Sequence, residues 1–415
     1  MTTAPAPSYS ARLPGAVVNE PTPLAPRIRL PSLDIVRGIV MVLMAVDHVR
    51  VYSGQPAGGP AAGIFFTRWI TNFSAPGFVF FAGTGAYLYG RRVGDTAKLA
   101  RFLATRGLWL VFLELTVLRV AWTFNFDFSH YMLAGVLWMI GWCMVLMAGI
   151  VYLPVAAIAG IGIAIILLHN VTDLFAGPLQ AAFGEQGPSW VLRLLYFGGV
   201  VKVGGGDSGV PLFVLYVIVP WIGVMMSGYA FGRIMELPLG RRRALCVRLG
   251  VAMTAAFVVA RLAGVYGDPV SWAAATHRLP SALAFLATTK YPASLEFLLM
   301  TLGPLLIALG LAERMGGTVA AILSTYGRVP LFFYLLHIPL IHLAACIVSV
   351  IREGGVNPWL LGNHPMAPGP APAGYMWSLP LLYLVFALCV TVLYFPCRWF
   401  ARLKAEQRWG WLTYL

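Results

Sequence analysis

A chain of 415 residues that is 59% hydrophobic and 11% charged, with a mean hydropathy of +0.79, cannot clothe a water-facing surface. Soluble domains carry roughly 25% charged residues, so lipid must be the solvent for much of its length. The net charge of +14 falls in short bursts between apolar runs, such as Arg91-Arg92 and Arg241-Arg242-Arg243; that excludes a basic nucleic-acid face and marks topology signalling with attraction to anionic lipid.

In chain order, residues 1–26 are rich in Ala, Pro and Ser and are expected to form a disordered tail without a secretory signal peptide. Residues 27–408 follow as one transmembrane domain, and residues 409–415 as a C-terminal tail. A span needs about 20 apolar residues. The candidates are 33–53, 69–90, 104–125, 131–151, 153–170, 211–234, 247–266, 292–312, 327–350 and 377–400, the fourth and fifth divided only at Tyr152 to Pro154. The fold class is therefore all-α, a polytopic membrane helix bundle of about ten transmembrane helices. The Lys/Arg bias places both termini in the cytoplasm. The long loops near 171–210, 267–291 and 353–376 then lie outside, and the five cysteines, scattered without a CxxC, read as small buried hydrophobes.

Ionisable side chains inside a span cost about 2.5–3.5 kcal/mol on insertion scales and are functional candidates by default. The first helix is the richest: Asp34, Arg37, Met41, Met44 and His48 recur at three- and four-residue steps and share one face. Imidazole titrates near neutrality, so His48 is the candidate base or nucleophile. Asp47 lies about 100° around the helix from it and faces Arg50 instead. The second span contributes Arg68, Asn72 and a Pro76 able to kink it. Glu114 and Glu296 need partners, and a structural pairing is expected of both. Within Tyr326 to His342, His337 is the second candidate histidine, with Tyr334 on its face, while His342 points elsewhere. Packing of a polar helix bundle remains the plain alternative for each of these residues. No phosphate loop, GxSxG elbow or HExxH pair occurs, and no metal site is expected.

The stretch Arg29-Leu-Pro-Ser-Leu-Asp34-Ile-Val-Arg37-Gly38, continuing to Asp47-His48-Val-Arg50, resembles bacterial members of the heparan-alpha-glucosaminide N-acetyltransferase catalytic-domain family. The segments Arg68 to Gly83, Lys290 to Pro304 and Gly327 to His337 resemble its later motifs. The resemblance implies a transmembrane acyltransferase that takes acetyl from cytosolic acetyl-CoA, or another acyl-CoA, and delivers it to an amine or hydroxyl acceptor, such as a glycan, at the outer face. The family's central histidine lies in the loop after helix one; residues 51–66 hold no His, and His48 ends the helix instead. The expectation is that His48, Asn72 and His337 form the catalytic set and that Asp34 and Arg37 bind the acyl-CoA. The expected partners are the lipid bilayer of the cytoplasmic (inner) membrane, the acyl-CoA donor, the outer acceptor and a second copy of the chain. A small-molecule or lipid transporter, and a non-catalytic structural membrane protein, remain the alternatives.

Overall fold

The computed structural model describes residues 30–130, 132–175, 189–205, 208–362 and 371–406. The two expected tails lie outside these residues. Thirteen helices of the bundle concern us here: α1 (Pro31–Tyr52), α2 (Ala62–Trp69), α3 (Ser74–Val93), α4 (Thr96–Leu113), α5 (Arg119–Thr123), α6 (Val136–Ile150), α7 (Val155–Leu168), α8 (Val219–Met235), α9 (Leu239–Ala263), α10 (Leu295–Ala312), α11 (Gly317–Arg328), α12 (Pro330–Glu353) and α13 (Leu379–Ala405). Among the described residues five helical segments are long and apolar enough to cross a membrane: Val155–Leu174, Leu239–Ala263, Leu295–Ala312, Pro330–Glu353 and Leu379–Ala405.

Other expected spans are broken in ways that side-chain chemistry explains. The span expected at 69–90 divides at a 3-10 turn, Ile70–Phe73. Pro76 does not kink a helix interior; it sits in the first turn of α3, where its missing N–H has no partner to lose. The span expected at 104–125 widens into a π-helical turn at Glu114–Leu118 between α4 and α5. The span expected at 131–151 begins as a strand, β1 (Met132–Ala134), before α6 starts at Val136.

That strand departs from the all-α expectation. β2 (Gly199–Val203) pairs antiparallel with β3 (Val210–Val214), and β3 pairs parallel with β1, giving the order β1-β3-β2. The Val-rich sequences of β2 and β3 suit a pleated surface; β2 comes from what looked like a Gly-rich loop, whereas β3 takes the start of the span expected at 211–234, whose helix α8 begins only at Val219.

The core is organised around α1, which packs on α3, α10, α11, α12 and α13. Close approach depends on glycine. A Cβ on Gly38 would overlap the backbone of Leu323 in α11, and one on Gly327 the backbone of Asp34. Gly83 in α3 and Gly228 in α8 are pressed in the same reciprocal way against the backbones of Met225 and Phe80. In lipid, where burial gives no drive between apolar helices, such small-residue contacts let dispersion and close backbone packing hold the pairs. At one end of the bundle Glu313 accepts Arg242 Nε at 2.6 Å and Nη2 at 2.9 Å, and Ser32 Oγ at 2.9 Å, fixing the start of α1.

Candidate functional site

Two regions of α1 carry the chemistry. At the end that bears Leu30, Arg92, Arg328 and Lys404, a cavity of about 610 Å³ opens between α1, α3, α4 and α12. Its lining includes the cations Arg37, Arg91, Arg92, Arg106, Arg328 and Lys404, against the carboxylates Asp34 and Glu236. Deeper in, the wall turns apolar, with Met41, Phe78, Phe81, Leu110, Ile140 and Met144, and Tyr334 contributes the one polar side chain of α12 in it. Of the five residues expected on one face of α1, Asp34, Arg37 and Met41 line this space, while Met44 and His48 do not. Arg37 Nη2 donates to Phe81 O at 2.7 Å, which fixes the guanidinium between α1 and α3.

Beyond Tyr334, one helical turn further along α12, His337 meets His48. His337 Nε2 lies 2.6 Å from His48 Nδ1. His337 is fully buried, and its Nδ1 faces two carbonyls, Tyr334 O at 2.7 Å and Phe333 O at 3.2 Å. Carbonyls only accept, so Nδ1 of His337 carries hydrogen. For two neutral rings the remaining positions follow in sequence. His337 Nε2 is a lone pair, His48 Nδ1–H donates to it, and His48 Nε2 is left as an unprotonated nitrogen. Trp122 packs edge-on against His48, with ring centroids 4.8 Å apart, and the Tyr334 ring lies 6.5 Å away. The pair therefore has the form of a base held in one tautomer by an orienting partner.

Around His48, at the far end of α1, sits a charged cluster. Asp47 Oδ1 accepts Arg50 Nε at 2.8 Å, as the helical spacing predicts, and Asp47 Oδ2 lies 3.4 Å from Arg68 Nη1. Asn72 stands beside Arg68, with its Oδ1 3.5 Å from Arg68 Nη1; this is its described contact, and no bond to either imidazole is seen. Of the three candidate catalytic residues, then, the fold brings His48 and His337 together and places Asn72 on the charged cluster.

The acids expected to be structural have structural partners. The π-helical turn swings Glu114 under the start of α6, where Oε2 accepts Leu137 N at 2.8 Å and caps the helix. Gly135 is required there, since any Cβ would collide with that carboxylate. Glu296 pairs with Arg261 at 2.8 Å. His342 is spent on Ala121 O and Leu360 O, between the rings of Tyr52 and Phe124. Sequence reasoning missed Arg91, Arg92, Arg106, Arg328 and Lys404 as one group, because each stands beside its own span as an ordinary topology signal. It also left out of the candidate site Lys290 and Tyr291, which reach the charged cluster from the loop before α10; their place at the head of the family-like segment Lys290 to Pro304 was the available hint.

Residues 29–263, more than half of the chain, match the family model described as "Heparan-alpha-glucosaminide N-acetyltransferase, catalytic". The match takes in the cavity wall from α1, α3 and α4 and ends before Lys290 and His337. No curated protein matches the chain.

Proposed function

Because the chain belongs to the heparan-alpha-glucosaminide N-acetyltransferase catalytic family, we propose that it is a membrane acyltransferase moving an acyl group, acetyl in the simplest case, from cytosolic acyl-CoA to an amine or hydroxyl at the opposite face. The observation that carries this reading is the order of chemistry along the cavity: cations at its mouth, an apolar passage, and an end at Tyr334 against the histidine pair. An acyl-CoA has the same order, with phosphates, then a pantetheine arm, then the thioester. Arginine forks suit phosphate oxygens, and the apolar walls exclude water from a thioester.

In this reading the bundle crosses the cytoplasmic membrane about ten times with both termini inside, so the cavity mouth faces the cytosol and the Asp47 cluster faces out. The acceptor oxygen or nitrogen attacks the thioester carbonyl carbon while its proton passes to His48 Nε2. The C–S bond breaks, and the departing thiolate takes that proton back from His48, leaving free CoA and the acylated acceptor. His337 is the positioning residue. Its Nε2 is committed to His48, so this member of the expected catalytic set acts through His48 and does not touch the substrate. Asp34 and Arg37 contribute to the donor site together with the mouth cations.

The test is thermal stability of the purified protein with acetyl-CoA, with dephospho-CoA and ATP as controls. A ligand bound only by the folded state stabilises by mass action, about 2.7 kcal/mol at a hundredfold excess over Kd. Acetyl-CoA is expected to raise the melting temperature more than either control. A folded sample indifferent to every CoA ester would sink the donor assignment.

A further inference from the structure

The segment before α10 is held with unusual completeness for an outer loop. Asp268 accepts four hydrogen bonds, from Val270 N at 2.9 Å, Thr289 N at 2.7 Å, Thr289 Oγ1 at 2.8 Å and Ser294 Oγ at 2.7 Å. From the other side His169 Nε2 lies 2.8 Å from Ala293 O. What this framework fixes in place is the dipeptide Lys290-Tyr291, set beside Arg68 and His48.

Lys290 Nζ lies 5.4 Å from the centroid of Tyr291 and 6.0 Å from that of Tyr216, and among the described residues no carboxylate comes within ion-pair distance of it. The Tyr291 hydroxyl donates toward Tyr216 Oη at 3.4 Å. Burial, with the Arg68 guanidinium close by, holds the Lys290 ammonium below its usual lysine value in spite of the opposing pull of Tyr291 and Asp47. The charges that face His48 are thus Arg50, Arg68 and Lys290 against Asp47 alone, and Asp47 is already shared by the two arginines. A protonated amine arriving here would meet net like charge, whereas an anion would supply the missing counter-charge.

We propose that the acceptor is an anionic molecule, its phosphate, sulfate or carboxylate held by Lys290 and Arg68 while a neighbouring hydroxyl is presented to His48. This rests on the acyl-transfer reading and narrows its acceptor: a hydroxyl next to an anion in place of a free amine. Tyr216 and Tyr291 offer ring faces on which the carbon skeleton of the acceptor packs.

The experiment uses the full chain in zwitterionic nanodiscs with saturating CoA, so that the cations of the inner cavity are occupied. Inorganic phosphate is titrated at constant ionic strength while the melting temperature is followed, with glucosamine as the cationic comparison. Wild type and Lys290→Arg are expected to be stabilised by phosphate, Lys290→Met to need about ten-fold more phosphate, and glucosamine to give no stabilisation. Repeating the titration in nanodiscs containing phosphatidylglycerol, and with sn-glycerol 3-phosphate in place of phosphate, separates two sources of the anion. A response abolished by the anionic lipid identifies a headgroup as occupant, and one that persists identifies a soluble phosphate; both support the site. No response of the wild type, or an equal response of Lys290→Met with its basal melting temperature intact, overturns it. Failure of CoA alone to stabilise the protein would count against the donor reading and leave the phosphate result to stand by itself.

Discussion

Replacing His48 by Ala is expected to lower acyl transfer by roughly 10²–10⁴-fold, the usual worth of a positioned general base, while the stabilisation by acetyl-CoA persists, because His48 lies beyond the walls of the donor cavity. His337→Ala is expected to approach the same loss without touching donor binding. It removes the acceptor for His48 Nδ1–H, so the ring is free to take the other tautomer, a change that in a related base–orienter pair costs about 10⁴-fold. His337→Gln, which keeps an oxygen able to accept, should recover part of the rate. Radiolabelled acetyl transfer in proteoliposomes, read beside the thermal shift, checks all three. A His48→Ala protein that binds acetyl-CoA and turns over at the wild-type rate would refute the assignment of the base.

The largest loss of stability is expected from Arg261→Met. All five N–H groups of this guanidinium are used: Nε on Phe285 O, Nη1 on Val270 O and Glu296 Oε2, Nη2 on Ala284 O and Ala287 O. The Arg261 and Glu296 side chains are 1% and 3% exposed. Removing one member of a buried pair strands the other, at a cost of about 3–5 kcal/mol, and here four carbonyls lose their donor as well. Because those carbonyls belong to residues 270–287, the damage should be local first: cleavage by an added protease within 264–294 at a temperature where wild type resists. Arg261→Met combined with Glu296→Met removes both charges and should regain part of the loss. If the single variant is as protease-resistant as wild type, the pair is not what holds this loop.

The frame of the molecule was legible because lipid imposes it. Long apolar runs at 247–266, 292–312, 327–350 and 377–400 overlap helices α9, α10, α12 and α13, since length and apolarity alone decide them. The polar face of α1 was legible for the same reason of periodicity: Asp34, Arg37 and Met41 do line one cavity. What failed to show was anything set by long-range docking. His48 and His337 are 289 residues apart, and nothing local to either says that they touch. Arg261 reads as the end of one span and Glu296 as the start of another, so their pairing is invisible until α9 lies along α10. The strand at 199–203 hides in a Gly-rich loop because it is short, the one at 210–214 reads as the apolar start of the span expected at 211–234, and the strand β1 that completes their sheet comes from far upstream.

The direction of the hydrogen-bond chain at His337 has an energetic corollary for the membrane. Because the chain ends on the Tyr334 and Phe333 carbonyls, which cannot take up a proton, the path through His337 is closed. A proton accepted by His48 Nε2 leaves by the face through which it came, to the thiolate. Under the proposed acyl transfer, each turnover would exchange an acyl cation moving outward for a proton moving inward, and no net charge would cross the bilayer. Transfer should therefore be neither driven nor opposed by the transmembrane potential, although a full elementary charge moved through 100 mV would be worth about 2.3 kcal/mol. In proteoliposomes clamped with potassium and valinomycin, the rate should be the same at either polarity.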